Sequence, residues 1–267
     1  MSNDIILAIK KSMTTVVKGL DDDTKAVAGS GVGGAKRISI KGGVFRKFVG
    51  GKEVGAIDER HMDIVFVRMA HDPSRTYYAK VYKEGEKISP TCWSSNSKTP
   101  DAGVKAPMAS RCDQCPMSIR GSSNTGTTSA CRLSWRTAVV LPNDPSGDVM
   151  QLVLPATSVF GEEEGGKAPF KAYIRKLASH DVSAGRVVTR MQFDTKSPVP
   201  KLLFSAVSAV DQDSLETIAE QSRSAAAEAA IKLTVFQTDG GEESTSEAQP
   251  EVQAFAEPVV PVSYTHL

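Results

Sequence analysis

Four cysteines place the tightest constraint on this chain. Cys92, Cys112, Cys115 and Cys131 stand in the spacing C-x19-C-x2-C-x15-C, and no fifth cysteine is left over. Two thiolates three residues apart in a CDQCP turn can bite one tetrahedral ion at ~2.3 Å each, and two remote thiolates then close the site. The segment 88–134 is rich in turn formers, with Pro90, Pro100, Pro107, Gly121 and Gly126, and has little apolar content to pack. A structural Zn2+ would supply the missing order; zinc contributes ~10–16 kcal/mol to the folding of small peptides. Four thiolates leave no open position on the metal, which argues against catalysis there. Other cysteine chemistry fits less well. A redox pair sits at a helix N-terminus beside a βαβ pattern, and free core cysteines belong in apolar runs. A zinc deaminase needs H-x-E and P-C-x-x-C. Here His61 is followed by Met62 and Asp63, and Pro116 comes after the cysteine pair.

On both sides of this segment the chain reads as β-structure. Arg37–Phe48 carries β-branched and aromatic residues around Gly42-Gly43, and Met62–Met69 alternates Met62, Ile64 and Phe66 against Asp63, Val65 and Val67. Strand patterns follow at 76–82, 137–141, 149–154, 185–193 and 201–207. Residues 167–179 read as a helix with Phe170, Tyr173, Ile174 and Leu177 on one face. A last helix is expected from a cap at Asp211 or Asp213 to about Lys232. The fold class is therefore mainly β with flanking helices. The pattern suggests an OB-like (oligonucleotide-binding) five-stranded barrel with a zinc-binding insertion at 88–134. The fit puts the insertion between its second and third strands and the helix 167–179 between its third and fourth. Such barrels bind oligonucleotides across the face of strands 2 and 3.

The expected organisation is a helical arm and Gly-rich linker over 1–35, the OB-like domain over 36–210, a C-terminal helix over 211–237 and a disordered acidic tail over 238–267. GSGVGG at 29–34 resembles a dinucleotide glycine pattern, but no strand precedes it and RISIK follows, so it reads as linker. Residues 262–267 look like translated adapter sequence, a possible sequencing artefact, and carry no functional weight. No apolar run approaches the ~20 residues of a membrane helix. The N-terminal MSNDIILAIKKSM lacks the plan of a secretory signal.

The charge is unevenly divided. Residues 1–210 hold 30 Lys and Arg against 20 Asp and Glu, whereas residues 211–267 hold 2 against 11. A basic body suggests an anionic partner. Sequence-tolerant binding of single strands needs cations that track phosphates and rings that stack on bases. Candidates for this work are Arg46, Lys47, Phe48, Tyr78, Lys80, Tyr82, Trp93, Arg132, Trp135 and Arg136. In a strand, Tyr78, Lys80 and Tyr82 share one face.

The strand order, the cysteine insertion and the acidic tail together resemble single-stranded DNA-binding proteins of tailed bacteriophages. The likeness runs from Ile38 to Val210 and is carried by CWSSNSKTPDAGV, CDQCPMSIRGS, ACRLSWRTAVVL and FDTKSPVPKLLF. It implies a non-catalytic protein that coats replication or recombination intermediates in the host cytoplasm, with Cys92, Cys112, Cys115 and Cys131 as zinc ligands. It also implies an acidic tail that competes for the DNA groove and recruits replication proteins. Here that tail would be Glu242, Glu243, Glu247, Glu251 and Glu257, with Phe255 as an apolar anchor. The all-cysteine ligand set departs from the mixed His/Cys set of the best-known relatives. The alternative is a zinc-stabilised protein-interaction or transcription-regulatory module that uses 88–134 to contact host machinery. An enzyme is disfavoured because no carboxylates cluster at a metal-binding spacing.

Overall fold

The computed structural model describes residues 35–79 and 89–234. The expected N-terminal arm, Lys80, Tyr82 and the acidic-tail residues lie outside the described residues. Ten strands form one mixed sheet: β1 (Lys36–Ser39), β2 (Phe45–Val49), β3 (Lys52–Ile57), β4 (His61–Met69), β5 (Ser74–Tyr77), β6 (Cys92–Ser94), β7 (Arg132–Val140), β8 (Met150–Pro155), β9 (Val187–Phe193) and β10 (Leu202–Ala209). Helices α1 (Ala156–Val159), α2 (Phe170–Ser179), α3 (Leu215–Arg223) and α4 (Ala225–Ile231) flank it. Eight strands run in the order β10-β9-β4-β7-β8-β1-β2-β3, while β5 pairs with β7 and β6 with β5. The β1–β8 contact is parallel and the other pairings are antiparallel. The sheet is thus larger than the five strands expected. The cysteine-rich segment lies between β4 and β7, which are neighbours.

The turn between β1 and β2 follows from Gly42 and Gly43, both at φ +72°, a conformation that L side chains rarely adopt. β4 shows why an apolar run can also alternate. Met62, Ile64 and Phe66 enter the main core, while Val65 and Val67 enter a second core on the opposite face. Both faces of the strand are covered, as in sheets packed on two sides. Between β4 and β7 the register slips: Phe66 opposes Val139, but Arg68 opposes Ala138. Val67 is therefore an extra residue, a β-bulge. It moves Arg68 off the side of Phe66 and onto the side of Ala138.

The sheet curls around its main core. The Phe45 ring on β2 lies 4.5 Å from that of Phe193 on β9, although these strands are five places apart in the sheet order. α2 lies inside the curl, with Phe170, Tyr173 and Leu177 buried on one face as the sequence predicts. The rings of Phe66, Phe170 and Phe204 meet at 5.6–6.1 Å. The segment before α2 ties to β10 through a bridge between Ala168 and Phe204, and the Leu202 N–H donates to Ser158 Oγ at 2.8 Å. Burying such rings stabilises the fold by roughly 1.5–3 kcal/mol for each side chain.

The second core lies on the outer face of β4, β7 and β8, under α3 and α4. Val65, Val67, Ala138, Val140 and Val149 pack there against Ile218, Ala227 and Ala230. The C-terminal helix expected as one piece is two. Ser224 is extended (φ −64°, ψ 150°), and its hydroxyl accepts from the Ala227 N–H at 3.1 Å, which starts α4 afresh. Neither Asp211 nor Asp213 caps α3; Ser214 precedes it without a side-chain cap. Gln151 Nε2 donates to the Ala230 carbonyl at 2.7 Å, and Arg68 Nη1 donates to the Ser222 carbonyl at 3.3 Å. Among the described residues no helix is long and apolar enough to cross a membrane.

Candidate metal centre and adjoining groove

β7 begins earlier than its apolar pattern suggests, and this extension organises the cysteines. Its first residues pair with β5 (Arg75 opposite Leu133, Thr76 opposite Arg132), and β5 in turn pairs with β6 (Tyr77 opposite Cys92, Arg75 opposite Ser94). The result is a three-stranded tip, β6-β5-β7. Cys92 sits on its outer strand, and Cys131 immediately precedes the strand on its other side. The CDQCP turn faces this tip. The Cys112 N–H donates to the Lys98 carbonyl at 2.9 Å, the Ser118 N–H to the Cys115 carbonyl at 2.9 Å and the Cys131 N–H to the Met117 carbonyl at 2.7 Å. The first ties the turn to the loop after β6, the second closes the turn on itself, and the third ties it to the residue before β7.

All four cysteines are buried and unbridged, and all four line one cavity of about 10 Å³. That is on the order of the space one water or ion occupies. Arg75, Ser94, Trp93 and Ser118 also line it. Burial pushes the Cys112 thiol above its ordinary value, against a hydrogen bond with Ser94 and the charge of Arg75, which pull it down. Burial likewise pushes the Cys131 thiol up to about 11, opposed by Arg75 and reinforced by Cys115, Cys112 and Cys92. The sulfurs surround the cavity without forming a ready-made ligand group. Among the described residues no set of three or more His, Cys, Asp or Glu stands poised to hold a metal ion. The donor chemistry nonetheless fits zinc: four thiols from one tight turn and two strands face one small enclosed space.

The other residues predicted to form a site are more scattered. Trp93 on β6 packs over Gly103, where an added Cβ would come 3.2 Å from its Cζ2. Tyr78 is exposed beyond β5, and Arg132 is exposed at the start of β7. Trp135 turns inward instead. Its ring lies 5.7 Å from that of Phe170, and its Nε1 donates to the Ala70 carbonyl at 2.7 Å. Arg136 is only 4% exposed and donates to the hydroxyls of Ser74 and Ser134. Arg46, Lys47 and Phe48 lie on β2, three places along the sheet from β7. There Arg46 pairs with Glu53 at 3.1 Å, and the Arg37 guanidinium sits 4.6 Å from the Phe48 ring centre.

A groove of about 500 Å³ opens beside the cysteine tip. It is lined by Arg68 and Arg136 from the sheet, Asn96 and Asp101 from the cysteine module, and Lys232 at the end of α4. Its acids are engaged: Asp72 is paired with Lys98 at 3.0 Å, and Asp101 accepts from the Ser95 N–H and hydroxyl at 2.9 Å each. Lys232 is paired with Glu228 at 2.7 Å. Sequence reasoning missed Arg68 and Lys232, because a bulge and a helix end bring them here and neither leaves a local signature. The chain matches no family model, no curated protein and no solved structure.

Proposed function

We propose that the protein binds single-stranded DNA without strong sequence preference, in phage replication or recombination in the host cytoplasm. Its body would be a zinc-braced derivative of the OB barrel. The reading is supported by strand order. β4, β7, β8, then α2, then β9 and β10 lie in the sheet as β10-β9-β4-β7-β8. That is the order of an OB barrel's five strands, with its helix between the third and fourth. In this reading β1–β3 are an added hairpin layer, and the cysteine module is inserted after the first barrel strand. Zinc, held by Cys92, Cys112, Cys115 and Cys131, would lock the module to the strands and take no part in chemistry.

The observation that carries the reading is the groove between the cysteine module and α4, whose lining includes the cations Arg68 and Lys232 and the buried Arg136. The second core under α3 and α4 covers the outer face of β7 and β8 that an OB barrel offers to nucleic acid. The strand would instead follow the groove to the tip, where Arg132 and Tyr78 are exposed and Trp93 is partly so. Phosphates would meet the guanidinium groups of Arg68 and Arg132, and bases would find rings on which to stack. The test is a fluorescence titration with labelled oligo-dT and a duplex of equal length. Preference for the single strand, with affinity falling steeply from about 50 to 200 mM salt, is expected. Equal affinity for both, or flat salt dependence, would defeat the proposal.

A second reading rests on two exposed apolar side chains of the cysteine module, Ile119 (60% exposed) and Met108 (39%). A zinc-stabilised interaction module would use them to hold a protein partner, and would capture that partner without binding oligo-dT tightly.

A further inference from the structure

Two buried hydrogen-bond donors without partners line the cysteine cavity: Arg75 Nε and Ser118 Oγ. Buried polar groups are almost always paired, so two orphans in one small space ask for a missing acceptor. A neutral thiol is a poor acceptor, but a thiolate is a charged one. The register of the tip puts Arg75 in the right place. It sits on the middle strand, opposite Ser94 on one side and Leu133 on the other, each two residues along its strand from Cys92 and Cys131. Side chains two apart share a face, so Arg75 stands between the two remote cysteines. Ser118 comes from the other half of the site, three residues after Cys115.

Four thiolates around Zn2+ carry a net charge of minus two in a buried setting, which needs compensation to be stable. Resting on the zinc reading above, we propose that Arg75 and Ser118 are the outer positioning residues of the centre, donating N–H···S and O–H···S hydrogen bonds to its thiolates. The guanidinium halves the net charge, and both donors fix the sulfurs at the ion. The centre is then more than a four-cysteine clasp, because its retention of metal depends on two residues that are not ligands.

The experiment uses the full chain with Zn2+ or Co2+ as probe. Metal content and chelator competition are measured first on the unsubstituted protein, then on Arg75→Met, Arg75→Lys and Ser118→Ala. Arg75→Met keeps the length of the side chain and removes the donor. It is expected to bind one metal per chain when metal is in excess, with an affinity lowered about 10–100-fold. In its cobalt form the sulfur-to-metal charge-transfer band should move to lower energy, because unbonded thiolates give up electron density more readily. Arg75→Lys restores the charge and should recover part of both effects, and Ser118→Ala should shift both in the same direction by less. An unchanged affinity and an unmoved band in Arg75→Met and Ser118→Ala would overturn the inference while leaving the zinc reading intact. Failure of the unsubstituted protein to bind metal would overturn both. If Arg75→Met does not fold, Arg75→Lys and Ser118→Ala decide by the same two readouts.

Discussion

Arg190 on β9 stands directly opposite Asp63 on β4 and grips its carboxylate at two points, Nε to Oδ1 at 2.7 Å and Nη2 to Oδ2 at 2.8 Å. The hydrogen bonding holds the Asp63 carboxyl below its ordinary value of 3.8, against the opposing effect of burial; the charges of Arg190 and His61 add to the lowering. A carboxyl lowered in the folded state stabilises fully above its unfolded value, and that stabilisation is lost as pH falls through the folded one. Both side chains are about a third exposed (37% and 27%), so the pair contributes about 1 kcal/mol or less. Asp63→Asn should therefore lower the urea midpoint slightly at pH 7 and reduce the further loss seen on going below pH ~4. Parallel acid limbs for the two proteins would rule this out.

Inside the curl, the Tyr173 hydroxyl lies 2.7 Å from Thr189 Oγ1, and both groups are buried. Tyr173→Phe leaves the Thr189 hydroxyl without that partner and is expected to destabilise by about 1–3 kcal/mol. Adding Thr189→Val removes the orphan and should recover most of the loss. Denaturant melts of the four proteins in the cycle measure the coupling. Strictly additive losses would mean that the two hydroxyls do not depend on one another.

Purified protein should carry one zinc per chain, and Cys115→Ser should abolish stoichiometric binding. Because the four cysteines tie the turn to β6 and β7, chelation should open residues 95–130 to protease before the main core melts. The readouts are metal analysis and timed proteolysis with mass mapping. Metal content well under one per chain, or first cleavage elsewhere among the described residues, would count against the site.

Ala227 is 0% exposed and packs α4 onto the outer face of the sheet. Its methyl lets the helix approach closely, so Ala227→Leu should destabilise by about 1–3 kcal/mol through overpacking. Hydrogen exchange should show the loss concentrated in α3 and α4. A stability equal to the parent's would mean that the helices rest only loosely on β4 and β7.

Some of this architecture was legible in the residues. The Gly42-Gly43 turn, the two-sided alternation of β4 and the apolar face of α2 are written locally, and each element forms where that pattern stands. β3 and β6 are not. β3 is an exposed edge held by pairing with β2, and β6 is three residues long and exists through its pairing with β5. The break at Ser224 was hidden by the high helix propensity of the alanines around it. At the candidate site, the spacing of the cysteines announced a cluster, because a CxxC turn is a local object. Which cation stands beside them depends on long-range register, and nothing local to the sequence singles out Arg75. Trp135 misled for a related reason: its face of β7 turns to α2, which arrives from 35 residues downstream.

The extra residue at Val67 divides β4 into two stretches that obey opposite rules. Up to Phe66, even-numbered side chains look toward the rings of the main core; from Arg68 on, odd-numbered ones do, as Met69 shows. Were Val67 instead to pair in regular alternation, the remainder of the strand would be inverted, pushing a guanidinium among the phenylalanines and turning Met69 outward. The Arg68 guanidinium and the oily interior on the other side of the strand are thus kept apart by one peptide unit.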